Sequence, residues 1–142
     1  MNRVFPLLLA LVALALAAPL RAQQASWEIE ARDATGTVTY DLATGLATGT
    51  NGIVVRYNGI VLTADSATVN KTTGEAVADG NVRVQSGDML WTGEHIRYNF
   101  LTRSLRSESF RAGKSPVFVG GQAVTGDLTN EVYTATNAFL TL

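Results

Sequence analysis

The feature that most constrains the fold is an internal repeat of 29 residues. The stretch from Asp41 to Asn70 aligns without gaps to the stretch from Asn70 to Asn99. A unit this short cannot bury its apolar face alone, whereas stacked copies can. The repeat therefore predicts a stack of similar units around one shared interior. The aligned pairs are Gly45 with Gly74, Ile53 with Val82, Val55 with Val84, Thr63 with Thr92, Asp65 with Glu94, and Val69 with Tyr98.

A looser third copy follows the first two. Thr125-Gly126-Asp127 aligns with Thr92-Gly93-Glu94 at a shift of 33, with a small insertion around Ser115-Pro116. In this alignment Gly120-Gly121 falls on Gly87-Asp88, so we expect a turn there. The chain is thus predicted to contain about three stacked copies.

Within the copies, apolar and polar residues alternate as they do in half-buried strands. Asn58-Gly59 suits a two-residue hairpin turn, because both residues tolerate positive φ. No amphipathic helix of useful length follows residue 26 in the sequence. We therefore expect an all-β domain with three or four strands of about five residues in each copy. The residues that share the apolar side are Ile53, Val55, Ile60, Leu62, Ala67 and Val69, then Val82, Val84, Met89, Trp91, Ile96 and Tyr98.

The N-terminal segment has the character of a secretory signal peptide. Arg3 precedes a nearly unbroken apolar run over residues 5–20, and Ala22 suits a cleavage site. The run is short for a bilayer span, which needs about 20 residues, and a retained membrane anchor is the alternative. We therefore expect an exported protein with a signal peptide at residues 1–22 and a mature domain at residues 27–142.

The mature chain is mildly acidic and contains no cysteine. Without Arg3 and Arg21, 9 basic residues remain against 12 acidic ones, which gives a net charge near −3. A chain of this kind without a basic cluster is a poor candidate for nucleic-acid binding. The lack of cysteine excludes disulfides and thiolate metal sites, and His95, the single histidine, cannot build a metal site alone. We expect neither a cofactor nor a metal.

Three carboxylates, Asp65, Glu94 and Asp127, share one repeat position in this alignment. Two carboxylates facing each other across roughly 5–10 Å could serve a glycosidase. Recurrence at the end of an outward-facing strand favours a turn or ladder role instead. The sequence also contains no nucleophile motif, phosphate loop or dinucleotide fingerprint. We therefore expect no catalytic residues and no enzyme activity.

The repeat resembles the OstA-type repeat of periplasmic lipopolysaccharide-transport proteins. The resemblance lies in Tyr40–Gly45 (YDLATG), in Val69–Val84 (VNKTTGEAVADGNVRV) and in Tyr98-Asn99, and it extends over roughly residues 36–137. Members of this family include LptA, LptC and the N-terminal domain of LptD. The resemblance implies a twisted, open β-jellyroll in the periplasm, with an apolar groove that holds the acyl chains of lipid A.

The resemblance also implies site residues and partners. Family members stack head to tail through edge strands, so other OstA-like proteins, or further copies of this chain, are the expected partners beside lipopolysaccharide. From physics alone, Trp91 and Tyr98 fit a closed core as well as a lipid groove. A structural or assembly module that binds β-proteins through open sheet edges is the alternative function. By resemblance, the groove residues are Ile53, Val55, Leu62, Val69, Val82, Val84, Met89, Trp91, Ile96 and Tyr98.

Overall fold

Residues 25–141 are described by a computed structural model, and all of their regular structure is β-strand. Twelve strands form one antiparallel sheet. No helix among these residues is long and apolar enough to cross a membrane. The predicted signal peptide, residues 1–22, lies outside the described residues. The strands are β1 (Glu28–Ala31), β2 (Thr37–Asp41), β3 (Leu46–Thr50), β4 (Ile53–Tyr57), β5 (Ile60–Ala64), β6 (Ser66–Asn70), β7 (Glu75–Ser86), β8 (Met89–Asn99), β9 (Ser104–Lys114), β10 (Val117–Asp127), β11 (Val132–Thr136) and β12 (Phe139–Thr141).

The sheet folds over along a corner into two halves. The first residues of β7 pair with β6 and its last residues pair with β5, so one long strand contributes to both halves. Half-sheet A contains β2, β3, β6 and β11, and half-sheet B contains β1, β4, β5 and β12; the strands β7 to β10 run through both. The apolar side chains of the two halves meet in one buried cluster between them. The predicted all-β jellyroll of stacked strand repeats is confirmed.

The strand lengths differ between the copies. The first copy consists of four strands of five residues, as expected from the sequence. The second and third copies each consist of two strands of 11 or 12 residues. These longer strands pass through the corner without a break in their pairing, apart from a bulge in β7.

The corner is built from residues that tolerate a left-handed backbone. In β7, Gly80 and Asn81 have φ values of 78° and 47°, and together they form the bulge opposite Glu94. A Cβ at Gly80 would lie 2.6 Å from Asp65 Oδ2, so glycine is required for space as well as for conformation. The Asn81 side chain donates a 2.9 Å hydrogen bond to Asp65 Oδ2. Asp65 therefore secures the corner, in agreement with the turn role expected of it.

The opposite margin of half-sheet A carries four equivalent turns. Each turn starts with Asp or Asn, whose Oδ1 accepts hydrogen bonds from the backbone N–H groups two and three residues later. This is the Asx-turn geometry that favours Asp and Asn. Backbone bonds join successive turns, for example Phe100 N–H to Gly74 C=O at 2.8 Å. The four residues that start these turns are Asp41, Asn70, Asn99 and Asp127.

The register predicted for the third copy was wrong. Asp127 is equivalent to Asn99, because both end a strand and start an Asx turn, so the third copy is offset by 28 residues and not by 33. The offset is one residue shorter because the single residue Ser109 lies opposite Glu94, where β7 has two. As a result Gly120-Gly121 lies inside β10 and does not form a turn.

Candidate functional site

All ten residues predicted to line a groove surround one interior. Nine of them belong to a single cluster of buried side chains with exposed fractions of 2% or less, and Met89 packs against that cluster. Trp91 and Met89 also line an open cleft, described below. Contact between these residues and lipid stays a prediction. The eight that belong to the buried cluster and do not line the cleft are Ile53, Val55, Leu62, Val69, Val82, Val84, Ile96 and Tyr98.

The mouth between the half-sheets is closed over the first two copies by aromatic rings. Trp27, at the start of half-sheet B, stacks on Tyr57 with ring centroids 4.3 Å apart. Phe100, from the third Asx turn of half-sheet A, packs against Trp27 at 5.2 Å. We call Trp27, Tyr57 and Phe100 the mouth cluster. Since Phe100 is only 2% exposed, this part of the interior is sealed by side chains.

Beyond the mouth cluster the interior opens into an apolar cleft of about 430 Å³. The cleft continues the buried cluster toward the last strands of the sheet, and its volume lies within the range of roughly 300–1,000 Å³ that is usual for ligand sites. Its lining is almost entirely apolar, with Lys114 at its rim. The cleft residues are Met89, Trp91, Phe110, Ala112, Gly113, Val117, Val119, Val124, Tyr133 and Ala135.

Most of this lining comes from the third copy, which the sequence analysis placed in the wrong register. At the observed offset of 28, Phe110 takes the place of Val82, Val119 that of Trp91, and Val124 that of Ile96. These residues alternate along β9 and β10 in the same way as their counterparts. Alternation in the third copy, aligned through its terminal Asp127, was the signal that could have found the cleft.

Glycines in β10 make room for the aromatic rings of the last strands. A Cβ at Gly126 would lie 2.5 Å from the Tyr133 ring, so that ring rests directly over the strand backbone. From there Tyr133 packs against Trp91 of half-sheet B, with ring centroids 4.7 Å apart. One wall of the cleft is therefore fixed by a contact between the two half-sheets.

Arg103 lies at the mouth beside the mouth cluster. Its Nη2 donates a 3.0 Å hydrogen bond to Ser86 Oγ, which joins the margin of half-sheet A to that of half-sheet B. The side chain is half-buried, and its charge acts on two tyrosines, because it opposes the upward pKa shift of both Tyr98 and Tyr133. Sequence analysis gave no role to Arg103, since a charged residue in a turn is normally solvated.

Tyr98 is fully buried next to this mouth. Burial raises the pKa of its hydroxyl to about 12, because the ionised form cannot be solvated there, and the Arg103 guanidinium offsets part of that rise. Its ring packs edge-on against Phe100, with centroids 4.8 Å apart. The Tyr98 ring thus supports the mouth cluster while its hydroxyl lies in a poorly solvated part of the interior.

The carboxylates weighed as a catalytic set are not brought together. Asp65 and Glu94 lie at the corner around Asn81, whereas Asp127 starts an Asx turn at the far margin of half-sheet A. His95 is exposed on the outer face, where its Nδ1 pairs with Asp79. Among residues 25–141 there is no group of three or more His, Cys, Asp or Glu side chains that could hold a metal ion.

Comparisons with known proteins identify the fold. No protein-family model matches the sequence, and the search of curated proteins found no significant match. Among solved structures, the chain is similar to the crystal structure of LptH from Pseudomonas aeruginosa, described as the LptA-homologous periplasmic component of the conserved lipopolysaccharide transport device. The TM-score is 0.70 at 12% sequence identity, over 82% of this chain and 94% of that chain. The chain therefore has the fold of an LptA homologue, and the predicted OstA-like jellyroll is confirmed.

Proposed function

We propose that this chain is a non-enzymatic periplasmic carrier or bridge element that shelters the acyl chains of lipopolysaccharide on the way to the outer membrane. The observation that supports this most strongly is the apolar cleft, which opens directly from the buried interior. The fold shared with LptH, a component of a lipopolysaccharide transport device, supports the choice of lipid.

The physical basis of the proposed function is transfer of hydrocarbon from water into the cleft. Each methylene that is buried there contributes roughly 0.8 kcal/mol to binding. Affinity for an acyl chain thus needs no catalytic group. The ten predicted groove residues form the continuous apolar surface behind the cleft, and the larger part of the interior becomes available to lipid when the mouth cluster separates.

Two ends of the sheet are available for partners. At one end, β11 and β12 leave Val132, Phe139 and Leu140 with about 60% of their surface exposed. At the other end, β1 and β2 are the last strands of the two half-sheets. Exposed edge strands bind further strands by backbone pairing. We propose that other OstA-like transport proteins, or further copies of this chain arranged head to tail, bind at these ends.

Site-specific photo-crosslinking tests the lipid function. A photoreactive residue at Val119, inside the cleft, is compared with one at Thr125, on the same strand but on the exposed outer face. Lipopolysaccharide adducts are expected at position 119 and not at position 125. Equal labelling at both positions, or no adduct at either, contradicts the proposal.

The exposed apolar residues of the last strands favour a second candidate, an assembly module that binds β-proteins without lipid. Native mass spectrometry of the purified domain separates the two functions. A co-purified, displaceable lipid supports the carrier. Self-association through β11 and β12 in lipid-free protein, with no lipid captured on incubation with lipopolysaccharide, supports the assembly module.

A further inference from the structure

Three hydrogen-bond donors are buried where the sealed interior meets the cleft. Trp91 Nε1, Tyr98 Oη and Arg103 Nε are shielded from solvent, and none of them has a hydrogen-bond partner within residues 25–141. The indole and guanidinium N–H groups can only donate, and the phenol O–H can also donate. Buried polar groups in native proteins are nearly always paired, so three unpaired donors around one space indicate a missing acceptor.

The backbone at Arg103 gives independent evidence that this side chain is selected for its position. The last residue of each Asx turn has positive φ, which is 71° at Gly45 and 81° at Gly74. Arg103 occupies the equivalent place with φ 58°, a conformation that is unfavourable for a residue with a side chain. Glycine in the two preceding copies shows that the turn itself does not need arginine. A strained residue at a cavity mouth is a reason to look for a function.

Charge narrows the chemistry of the missing acceptor. Within the described part of the chain, Arg103 forms no ion pair, and its Nη2 is bonded to the uncharged hydroxyl of Ser86. The positive charge is also felt at the Tyr98 and Tyr133 hydroxyls. A half-buried guanidinium binds anionic oxygen strongly, because hydrogen bonds to charged groups are roughly twice as strong as neutral ones.

We propose that Trp91, Tyr98 and Arg103 form a polar subsite that binds an anionic oxygen of an amphiphile whose acyl chain lies in the cleft. Trp91 belongs both to the subsite and to the cleft lining, so the charged group must lie close to the first carbons of the chain. A carboxylate and a phosphate ester both meet this requirement. The inference rests on the proposed lipid function and adds a preference among lipids.

Chain-matched probes test the subsite. Calorimetry with decanoate, decyl phosphate and decanol, each kept below micelle-forming concentrations, measures the effect of the head group at constant chain length. The wild-type protein is expected to bind at least one anionic probe about tenfold or more tightly than decanol. The stronger of the two anions identifies the source as a carboxylate or as a phosphate.

Two substitutions assign the preference to the subsite. Arg103→Gly restores the residue found in the other turns, keeps the backbone conformation and should remove the preference for the anion while decanol affinity is unchanged. Tyr98→Phe should reduce the preference several-fold. Arg106→Met, which removes an exposed arginine on the outer face of the same strand, is the control and should leave all affinities unchanged.

The outcomes separate this inference from the proposed function. Equal affinity for all three probes in the wild-type protein, or an anion preference that survives in folded Arg103→Gly protein, overturns the subsite and leaves the carrier function intact. Failure of every probe, decanol included, to bind overturns both.

Discussion

The hydroxyl of Tyr40 in half-sheet A donates a hydrogen bond to the backbone carbonyl of Ile29 in half-sheet B. The bond crosses the interior at the β1–β2 end and ties the two terminal strands together. We expect Tyr40→Phe to lower the free energy of unfolding by about 1 kcal/mol, the usual net value of one hydrogen bond. Urea denaturation measures the change. Tyr57→Phe is the control, since its ring stacks on Trp27 and its hydroxyl has no partner among the described residues; an equal loss in both variants contradicts the role of the bond.

Phe100 closes the mouth and is almost fully buried. Phe100→Ala is expected to lower the free energy of unfolding by about 3–5 kcal/mol, because the ring leaves a cavity between the half-sheets. Its neighbour Leu101 is 48% exposed, so Leu101→Ala should change stability by less than about 0.5 kcal/mol. Chemical denaturation compares the two. A loss below about 1 kcal/mol for Phe100→Ala would show that the mouth closes without the ring.

Gly113 is required for space and not for backbone conformation. A Cβ there would lie 2.2 Å from the carbonyl oxygen of Val117, a backbone atom that cannot move aside easily. We expect Gly113→Ala to cost about 1–3 kcal/mol of stability. Gly87 gives the matched control, because its surroundings are open and Asn tolerates its positive φ. Gly87→Asn should be nearly neutral, and equal thermal shifts for the two variants are inconsistent with this account.

Asp127 makes the stability sensitive to acid. The backbone N–H of Thr129 and the side chain of Asn130 donate to the carboxylate and hold its pKa below the ordinary value. As the pH falls from the unfolded pKa of about 4 toward the folded one, the unfolded state takes up the proton first, so stability falls. Asp127→Asn keeps the turn, as Asn70 and Asn99 do, without the charge. The variant should lose less melting temperature on acidification than the wild type, and equal losses contradict the assignment.

Tyr98 makes the stability sensitive to base. Its folded pKa of about 12 exceeds the unfolded value of 10.0, so the unfolded state releases the proton first and stability declines as the pH rises between these values. The decline should reach about 2–3 kcal/mol and be absent in Tyr98→Phe. At neutral pH the same variant should be as stable as the wild type or more so, because it removes an unpaired buried hydroxyl. A large loss at neutral pH would show that the hydroxyl has a stabilising partner.

The fold was predictable where local pattern and packing agree. Alternation in the first two copies placed Ile53, Val55 and Leu62 on one side, because side chains in a strand change faces at every residue. The third copy was misaligned because one residue, Ser109, replaces two at the corner. A change of one residue in a strand exchanges its faces, so the alignment had to be anchored at Asp127 to give the correct register.

The candidate site was less predictable, because it depends on how the half-sheets meet. Sequence pattern cannot distinguish the sealed interior around Val69 from the open cleft around Val119, since both strands alternate in the same way. Arg103 was overlooked because its burial results from contact with Ser86 on a distant strand. The one local signal was the loss of the glycine that occupies its turn position in the copies before it.

The corner and the mouth are held by different kinds of bond. A continuous row of backbone hydrogen bonds runs along the corner, from Arg32 to Gly52, then to Asp65 and then to Gly80. Across the mouth, the contacts between the described residues are made by side chains alone. The two walls can therefore separate to admit a guest while every strand stays paired, so amide hydrogen exchange should be almost blind to loading, whereas the fluorescence of Trp27 should report it.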